Sequence, residues 1–523
     1  MAHIKNAIIS VFYKDKLDIL VTYLEQNNYH IYTTGGTMKT VLEHVKDKTI
    51  VHSISDYTEF PEICQGRVKT LHPRIYGGIL CMPDNAEHLQ DLIRNDTKLF
   101  DLVVVNLYPF EKVLAENAAE PLLLENIDIG GHTLMRAACK NYRRIPVLTD
   151  PTQYDDFVNG KVTNLQLAKQ AMKCVMCYDI AINNWFNSDD DEVVGHCYTK
   201  VESLKYGLNP YMKPSYICTK NNDKSPFEIL NGNMGYINLL DMNYAIRLVL
   251  ETKNLLFTDC CASYKHNSPA GVAVADSLTY FEQKLYNPKE ESLSQAADTL
   301  LRTRNVDPKS SFGDVVGYSG VVDKEMALVL KRLVSDGIIA ADYTDEALEI
   351  LKTKKDGKYL IVKQNSLVER PEYRDVNGVT LVQPTNDSIL DRDILQELPD
   401  HVQTDMILGY TTLKYTQSNS VCFVYRGRVI GIGAGQQNRV DCIRIAGEKA
   451  KQWLTRHELD HGAELTLISD AFLPFIDNVE VANEYKVKYI LQPGGSVRDA
   501  EIEESCGKYA IQMVLSNQRV FTH

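Results

Sequence analysis

The run DLVVVNLYPF, residues 101–110, decides the fold class of the N-terminal part of this chain. Four apolar residues, three of them valine, follow Asp101 without a polar interruption. A strand buried on both faces is apolar at every position, whereas a half-exposed strand alternates. The run therefore predicts an inner strand of a parallel sheet, and the chain around it should supply the helices that connect parallel strands.

The sequence around this run alternates between strand and helix patterns. Strands are predicted from two β-branched stretches, NAIISVF (6–12) and HIYTTGG (30–36). Helices are predicted where apolar residues recur three and four positions apart, in KLDILVTYLEQN (16–27), TMKTVLEHV (37–45) and LAKQAMKCVMCYDIAINNWF (167–186). Thr37 is the predicted N-cap of the second of these helices. The first 186 residues are therefore expected to form an α/β domain.

An acidic stretch, NSDDDEVVGH (187–196), follows the last of these helices. Such a stretch is solvated, and we place a domain boundary at its end, which predicts domains at 1–196 and 197–523. The second region mixes strands, helices and turns without a strict alternation, and it shows no repeat of fixed period.

The composition narrows the class of protein. The chain has 523 residues and a formal net charge of −13, so neither nucleic acid nor a membrane surface is an expected partner, because both require basic patches. No apolar run approaches the roughly 20 residues of a membrane span, and MAHIKNAIISVF (1–12) has no signal-peptide pattern. The twelve cysteines lack disulfide or zinc spacing, which predicts reduced thiols and a cytoplasmic protein.

Three stretches of the first domain carry candidate site residues, and each has a plain structural alternative. YTTGGTMKT (32–40) could hold a phosphate on backbone N–H groups at a helix N-terminus, or form only a tight turn. CQGRVKTLHPRIYGG (64–78) could supply guanidinium and ammonium groups to that anion, or be a solvated loop. ENIDIGGHTLMRAACKN (125–141) could supply an acid and a base, or carry ordinary helix and surface charges.

The stretch YKHNSPAG (264–271) places an ammonium beside an imidazole. Lys265 and His266 would point to opposite faces of an extended strand, which is a poor choice for packing. We interpret SPAG (268–271) as the end of a strand entering a turn. Polar groups presented at such a point often take part in chemistry.

Two further patterns match known motifs without their context. HELDH (457–461) fits the zinc-protease pattern H-E-x-x-H, but Gly462 and the polar surroundings predict that the helix ends there. IGIGAG (430–435) lacks the glycine spacing and the βαβ unit of a dinucleotide site. It predicts a strand and a turn that lead into a helix over DCIRIAGEKAKQWL (441–454).

Short motifs follow one another along the whole chain in a recognisable order. In the first domain they are SVFYK, TTGGT, GRVKTLHP, NLYPF, DIGG and RAACKN. In the second they are YGLNP, GYINLLD, KHNSPAG, SSFGD, SDGIIA, KYTQSNSV, GIGAGQQNR, SDAFLPFIDN and NQRVFTH. In this order they resemble the family of bifunctional purine-biosynthesis proteins that carry AICAR transformylase and inosine monophosphate (IMP) cyclohydrolase activities.

The resemblance implies two reactions. The second domain would transfer a formyl group from 10-formyltetrahydrofolate to the 5-amino group of AICAR, and the first would close the product, FAICAR, to IMP with loss of water. It implies a methylglyoxal-synthase-like α/β fold for 1–196 and two cytidine-deaminase-like α/β subdomains for 197–523. It also implies a homodimer with a shared transformylase site and no catalytic metal, since the deaminase zinc set H-x-E…P-C-x-x-C is absent.

For formyl transfer, the resemblance implies that His266 is the general base for the weakly nucleophilic AICAR amine, with the positive charge of Lys265 beside it. Asn419 would hydrogen-bond the amine or the formyl oxygen. The residues implied to hold the nucleotide are Lys205, Tyr206, Gly313, Asp336, Arg439, Arg519 and Phe521. Those implied to line the folate side are Phe472, Asp477 and His523.

Ring closure requires an anion pocket for the ribose phosphate, an acid for the departing oxygen and a base for the carboxamide nitrogen. The residues implied for the anion pocket are Ser10, Lys14, Thr34, Gly36, Thr37, Arg67 and Thr70. Those implied for proton transfer and oxyanion stabilisation are Lys69, Tyr108, Asp128 and Lys140.

The chain departs from the family pattern in three places. The family's first loop commonly reads S-V-S-D-K, but Phe12 and Tyr13 stand here, so a hydroxyl that would face the phosphate is lost. Lys205 replaces an arginine, and Tyr211 and Met212 replace a His-Gln pair. The first change leaves open a transformylase whose first domain only binds nucleotide. A third alternative is a non-catalytic nucleotide sensor, against which the retained transformylase residues argue.

Overall fold

The structure is a computed structural model that describes residues 4–188, 193–220, 224–287, 292–366, 371–459 and 463–523. The described chain forms two compact units. The first comprises the described residues through Thr199 together with 218–220, and the second comprises 200–217 and the described residues from Lys224 onward. Among the described helices, none combines the length and apolar character that crossing a membrane requires.

The first unit is built on parallel strands with helices between them. The strands are β1 (Lys5–Ser10), β2 (Tyr29–Thr33), β3 (Val51–Ser53), β4 (Leu102–Val105) and β5 (Val147–Leu148). The helices are α1 (Leu17–Gln26), α2 (Gly35–His44), α3 (Ile54–Thr58), α4 (Pro73–Leu80), α5 (Ala86–Arg94), α6 (Phe110–Ala115), α7 (Glu120–Glu125), α8 (Gly130–Lys140), α9 (Tyr154–Val158) and α10 (Asn164–Phe186). The sheet order is β3-β2-β1-β4-β5, with every pair parallel.

Side chains alternate between two apolar cores on opposite faces of this sheet. In β1, Ile8 belongs to one core, while Ala7 and Ile9 belong to the other. In β4, Val103 and Val105 share the core of Ile8, whereas the intervening residues join the opposite core. All four residues of β4 are buried, so the valine run is the two-sided inner strand that the sequence predicts.

One local prediction in this unit was wrong. The N-cap of α2 is Thr34, not Thr37, because both glycines of the Gly35-Gly36 pair are wound into the first helical turn. Thr37 therefore lies inside the helix. Its hydroxyl accepts a hydrogen bond from the Val11 N–H (3.2 Å) and donates one to the Val11 carbonyl (3.1 Å), which attaches the loop after β1 to α2.

The second unit contains most of the remaining elements. Strands β6 (Tyr198–Leu204) and β7 (Ser215–Lys220) lie where the two units meet in sequence. The other strands are β8 (Phe227–Asn231), β9 (Cys260–Lys265), β10 (Ser268–Val274), β11 (Asp314–Val322), β12 (Ser335–Tyr343), β13 (Leu360–Gln364), β14 (Glu372–Val376), β15 (Val379–Gln383), β16 (Val421–Val424), β17 (Arg428–Gly433), β18 (Leu465–Ser469), β19 (Val487–Gln492) and β20 (Gln512–Leu515). The helices are α11 (Tyr236–Leu256), α12 (Tyr280–Tyr286), α13 (Gln295–Arg304), α14 (Lys324–Arg332), α15 (Asp345–Lys352), α16 (Asp400–Lys414), α17 (Arg439–Arg456), α18 (Ile476–Glu484) and α19 (Asp499–Lys508).

The main sheet of this unit contains the same arrangement twice. Its order is β20-β19-β18-β16-β17-β10-β9-β11-β12-β13-β8. In one half the hairpin β9–β10 pairs through β9 with β11, and β11, β12 and β13 are parallel. In the other half the hairpin β16–β17 pairs through β16 with β18, and β18, β19 and β20 are parallel. The halves share topology rather than a fixed residue spacing, so the sequence shows no period.

Antiparallel pairing between β10 and β17 joins the two halves into one sheet. A long helix precedes each hairpin, α11 in the first half and α16 in the second, and these two helices pack together. Their apolar residues form one core with β9, β10, β16 and β17. The two hairpins, β9–β10 and β16–β17, are therefore held together both by strand pairing and by one shared apolar core.

One motif interpretation in the second region differs from the structure. β9 ends at Lys265 and the turn that follows consists of His266 and Asn267, so SPAG begins β10 instead of ending a strand. Pro269 is tolerated because the pairing with β9 is irregular between Pro269 and Gly271, as at a β-bulge. Helix α17 ends before the H-E-x-x-H stretch, and His457 is buried with Nδ1 2.7 Å from the Trp453 carbonyl oxygen. The second histidine, residue 461, lies outside the described residues.

Candidate functional sites

The first unit has a cavity of about 610 Å³ at the carboxyl ends of its central strands. Ser10 ends β1, Thr34 follows β2 and Asn106 follows β4, and all three line the cavity. The carboxyl ends of parallel strands lie at one edge of a sheet, where open α/β folds bind ligands. The predicted residues that line this cavity are Ser10, Lys14, Thr34, Gly36, Thr37, Arg67, Lys69, Thr70, Tyr108 and Asp128.

One wall of this cavity is the N-terminus of α2. The first-turn N–H groups of a helix have no partners within the helix, and the helix dipole is positive at that end. A Cβ placed on Gly36 would meet no atom within 4 Å, so the space above this turn is open. The wall therefore has the polarity and the room that an anion needs.

Two cations, Arg67 and Lys69, also line this cavity. Arg67 forms an ion pair with Glu125, in which both side chains are exposed, and Lys69 Nζ lies 3.9 Å from Glu62 Oε2. Exposed pairs of this kind contribute little to stability. Arg67 can therefore turn to an anionic ligand at small cost.

Asp128 is the more enclosed of the two carboxylates, Glu125 and Asp128, that line this cavity. Its carboxylate accepts hydrogen bonds from the Gly131 N–H (2.7 Å) and from the Tyr108 backbone. Burial nevertheless outweighs these bonds and raises the pKa of Asp128 above its ordinary value. A carboxyl group that keeps its proton more readily than usual is suited to act as an acid.

The loop after β1 is held by Asn106, which the sequence analysis missed. Asn106 is 6% exposed, its Oδ1 accepts from the N–H groups of Phe12 (2.6 Å) and Tyr13 (2.9 Å), and its Nδ2 donates to the Tyr13 carbonyl (3.0 Å). Phe12 lines the cavity and meets the Tyr108 ring edge-on, with centroids 5.8 Å apart. A polar residue directly after a fully buried strand was the available signal for Asn106.

Lys140 is the one predicted residue of the first domain that does not line this cavity. It is the exposed last residue of α8, whose first residue, Gly130, borders the cavity. Lys140 lies ten residues along the helix from Gly130, a distance of about 15 Å along the helix axis. The helix therefore carries Lys140 away from Asp128.

The second group of predicted residues lies along one edge of the eleven-stranded sheet. β9 reaches this edge at Lys265, and β11 begins next to it, since Val315 pairs with Tyr264. β12 also begins there, because Asp314 pairs with Ser335. The predicted residues that the first half brings to this edge are therefore Lys265, His266, Gly313 and Asp336.

The second half brings its residues to the same edge. Val272 of β10 pairs with Val429 of β17 in antiparallel fashion, so the start of β10 and the end of β17 lie together. Val421, the first residue of β16, pairs with Gly433 at the end of β17. Asn419 is therefore two strand spacings, or about 10 Å, along the edge from the His266 turn.

The side chains of the first half are ordered at this edge. Lys265 Nζ donates to the Phe312 carbonyl (2.8 Å), which fixes the ammonium beside the loop that contains Gly313. Asp336 Oδ1 accepts from Lys355 Nζ (2.7 Å) in a half-exposed pair. The edge thus carries the Lys265 ammonium and a carboxylate, Asp336, that is paired with Lys355.

A cavity of about 460 Å³ opens in the second half at this edge. The predicted residues that line it are Asn419, Arg439, Phe472, Asp477, Arg519 and Phe521. Asn419 Nδ2 donates to the Gln436 carbonyl (3.0 Å), and its Oδ1 accepts from Arg439 (2.9 Å). Because Oδ1 accepts from Arg439, the Nδ2 group, which has two N–H bonds, is the part of the Asn419 amide that can donate to a ligand.

Arg439 is more enclosed than a simple ligand-binding arginine. Its guanidinium also donates to Ser469 Oγ (3.0 Å) and to the buried carboxylate of Asp470. Asp470 in turn accepts from the Ser420 N–H (2.9 Å). The network therefore connects the Arg439 guanidinium to the strand ends on either side of Asn419.

The C-terminal tail forms part of the wall of this second cavity. Thr522 accepts from the Ser418 N–H through its carbonyl (2.9 Å), and its hydroxyl donates to the Lys414 carbonyl (2.6 Å). The guanidinium of Arg519 lies 4.5 Å from the centre of the Phe521 ring. The tail is therefore attached directly beside Asn419.

Seven predicted residues of the second region line neither of these two cavities: Lys265, His266, Gly313 and Asp336, which lie at the sheet edge, and Lys205, Tyr206 and His523. Lys205 and Tyr206 lie after β6, with Lys205 Nζ 5.9 Å from the centre of the Tyr206 ring. His523 ends the tail, and its carbonyl accepts from Arg374 (3.2 Å). The described residues also contain no group of three or more His, Cys, Asp or Glu side chains placed to hold a metal ion.

Comparisons with known proteins match both units. The family model described as "AICARFT/IMPCHase bienzyme" matches residues 138–449, and the model described as "MGS-like domain" matches residues 17–133. The chain is 36% identical to the "Bifunctional purine biosynthesis protein PurH" of Prochlorococcus marinus (strain MIT 9312), over 99% of each protein. It is 37% identical to the protein of that name from Clostridium acetobutylicum, over 99% of this chain and 100% of the relative. A solved structure described as "Crystal structure of ForH" is 27% identical, covers 35% of this chain and 100% of that chain, and has a TM-score of 0.31, which supports no structural argument.

Proposed function

Because the chain belongs to the AICARFT/IMPCHase bienzyme family, we propose that it is a bifunctional enzyme of purine biosynthesis. It transfers a formyl group from 10-formyltetrahydrofolate to AICAR, and it closes the product, FAICAR, to IMP with loss of water. The observation that carries this proposal is the match to bifunctional relatives over 99% of the chain. The two cavities support it, since each is lined by residues predicted for one of the two reactions.

We assign cyclisation to residues 1–196 and formyl transfer to residues 197–523. The match of an MGS-like model to residues 17–133 supports the first assignment. The duplicated topology of the eleven-stranded sheet supports a second domain made of two subdomains. Both assignments follow the predicted boundary in the acidic stretch.

In formyl transfer, the AICAR amine attacks the formyl carbon and the bond from that carbon to the folate nitrogen breaks. His266 removes the amine proton, which can then pass to the leaving folate nitrogen. Lys265 places positive charge beside the oxyanion, and the Asn419 amide donates to the same oxygen. The shared sheet edge supports these roles because it brings the three residues within reach of one ligand.

In cyclisation, the carboxamide nitrogen attacks the formyl carbon of the same molecule, so positioning supplies much of the acceleration. The α2 N-terminus, Arg67 and Thr70 hold the phosphate. The oxygen leaves as water with two protons: Asp128, in its protonated form, gives one, and the carboxamide nitrogen loses the other. The proton lost from the formamide nitrogen returns Asp128 to its protonated form, and Lys69 and Tyr108 stabilise the oxyanion. No role is assigned here to Lys140, because α8 carries it away from this cavity.

A split assay on the purified chain tests the two activities separately. AICAR with 10-formyltetrahydrofolate is followed by release of tetrahydrofolate, and FAICAR alone is followed by formation of IMP. Both signals are expected. Folate turnover without IMP would favour the alternative that the first unit only binds nucleotide, and neither signal would favour a non-catalytic sensor.

The Phe12→Ser variant is expected to lower the KM for FAICAR about 10-fold with little change in kcat. The substitution restores the hydroxyl of the family pattern, and a hydrogen bond to a charged phosphate is worth about that factor. Asn106 should still hold the loop after β1 in this variant, because it binds only backbone atoms of residues 12 and 13. Steady-state kinetics of IMP formation measure the effect, with Phe186→Ser, an exposed ring outside the cavity, as the control. A higher KM in F12S would mean that the Phe12 ring itself binds the substrate.

Removal of residues 519–523 is expected to reduce formyl transfer by at least about 100-fold, because displacing a wall of a site costs that much. The tail carries Arg519 and Phe521 and is hydrogen-bonded to the backbone next to Asn419. IMP formation from FAICAR by the same preparation is the control and should not change. A truncated chain that still formylates AICAR normally would exclude the tail from the site.

We further place the enzyme in the cytoplasm as a homodimer that binds small molecules rather than nucleic acid or membranes. The thiols support the location, because the twelve cysteines, all within the described residues, form no disulfide. The hairpin of β14 and β15 supports the dimer. Its apolar side chains are strongly exposed, with Val379 at 61% and Leu381 at 59%, and such patches mark interfaces.

A further inference from the structure

The turn that carries His266 has an unfavourable backbone conformation. Lys265 pairs with Ser268, so the hairpin turn has only two central residues, His266 and Asn267. Their φ angles are +58° and +56°. Positive φ at both central residues is what a type I′ turn requires, and such turns normally place glycine at the second position. Both residues here carry a Cβ, so the turn needs a stabilising partner.

That partner is the side chain of Asp241 on α11. Asp241 is 5% exposed, and its Oδ1 accepts from the Asn267 N–H at 2.7 Å. The backbone N–H of His266 also bonds to this carboxylate. Burial raises the pKa of Asp241, and the Asn267 N–H, the charge of the His266 imidazole and the His266 N–H offset part of that effect. The buried carboxylate of Asp241 therefore binds the backbone of two consecutive turn residues.

The other half of the sheet also has an aspartate that binds the backbone of a hairpin turn, but that turn carries no predicted catalytic residue. Asp405 is the sixth residue of α16, as Asp241 is the sixth residue of α11. Asp405 accepts from the N–H groups of Arg426 (2.9 Å) and Gly427 (2.6 Å), which form the turn between β16 and β17. Their φ angles are +47° and +70°. The second position of this turn is glycine, which reaches positive φ without assistance.

We propose that Asp241 is a positioning residue for formyl transfer: its carboxylate holds the His266–Asn267 turn and thereby presents the His266 imidazole at the sheet edge. This inference rests on the proposed function and names a further residue of the same site. Asp241 acts through the backbone of the turn and does not touch the substrate. Asp405 binds a turn that carries no predicted catalytic residue. Comparing the two residues therefore separates an effect on catalysis from an effect on stability.

The Asp241→Asn variant tests the proposal. The amide keeps one acceptor oxygen but replaces the other with a donor, so one of the two turn N–H groups loses its partner. We expect kcat for formyl transfer to fall about 30-fold, because a small displacement of a catalytic group costs up to about 100-fold. AICAR affinity by calorimetry and IMP formation should stay within about 2-fold of the wild type.

The matched control is Asp405→Asn, which breaks the same bonds in the other half. It should lower the thermal unfolding midpoint about as much as D241N does, yet leave formyl transfer within about 2-fold. Rescue provides the second readout. A glycine at 267 reaches positive φ unaided, so D241N introduced into an N267G background should cost at most about 3-fold relative to N267G alone.

Equal effects of D241N and D405N on kcat would overturn the proposal, because the loss would then follow from stability alone. A full 30-fold loss in the N267G background would also overturn it, because the carboxylate would then act by some route other than the turn. Crystal structures of the wild type and D241N examine the turn directly, and an unchanged φ at residues 266 and 267 would count against the inference. A wild-type chain that does not formylate AICAR would refute the proposed function, while the crystal structures would still decide the role of Asp241 in the turn.

Discussion

The His266→Ala variant is expected to lose formyl transfer by about 10³-fold while still binding AICAR. The AICAR amine is conjugated with its ring and is a weak nucleophile, so its attack on the formyl carbon requires removal of a proton. A positioned general base contributes about 10²–10⁴-fold to such a step. Release of tetrahydrofolate under saturating substrates measures the loss, and calorimetry measures AICAR binding.

Two controls make the H266A result specific. IMP formation from FAICAR should be unchanged, because its cavity is built entirely from residues of the first unit. His401→Ala removes another imidazole of the second unit, one whose partner is a half-exposed Glu464 at 3.6 Å, and should retain full turnover. If H266A kept more than a tenth of the wild-type rate, the proton acceptor would have to be another group.

The Asp128→Asn variant is expected to lower the rate of IMP formation by about 10²–10³-fold, with formyl transfer unchanged. The amide has nearly the same shape and can still accept from the Gly131 N–H, but it cannot give a proton to the departing oxygen. Single-turnover conversion of FAICAR measures the effect. Asp155→Asn, which breaks only an exposed pair with Lys16, is the control.

The pH dependence gives an independent check on Asp128. An acid acts in its protonated form, so the rate falls as the pH rises through its pKa. Burial raises the pKa of Asp128, and the fall should therefore occur at a higher pH than for an exposed aspartate. D128N should lose this limb of the profile. A profile that D128N leaves unchanged would assign the limb to another group.

The fold of the first unit could be predicted because its signals are local. The valine run 102–105 is apolar at every position, and α1 carries its apolar residues on one face, so each element is legible within about ten residues. The carboxyl ends of parallel strands then gather their polar neighbours at one edge without further information. This is why the residues predicted around Thr34 and Asp128 line one cavity.

The remaining features depend on geometry that local sequence does not contain. The spacing between Asp128 and Lys140 is compatible with one cleft, yet a continuous helix separates them. Asp241 lies on a helix that also carries Arg247, Glu251 and Lys253, so the local sequence does not identify its partner in a turn 26 residues later. The duplicated halves are related by strand pairing over long distances, and no residue period accompanies it.

The pairing of β10 with β17 has a consequence for the synthesis of the protein. Val272 pairs with Val429, which the ribosome adds 157 residues later. At about 5–20 residues per second, roughly 8–30 s pass between the two strands. Throughout that interval β10, whose side chains are almost all buried in the finished sheet, presents an unpaired edge that can pair with another nascent chain. β10 therefore gains its partner on this edge only after β17 has been synthesised.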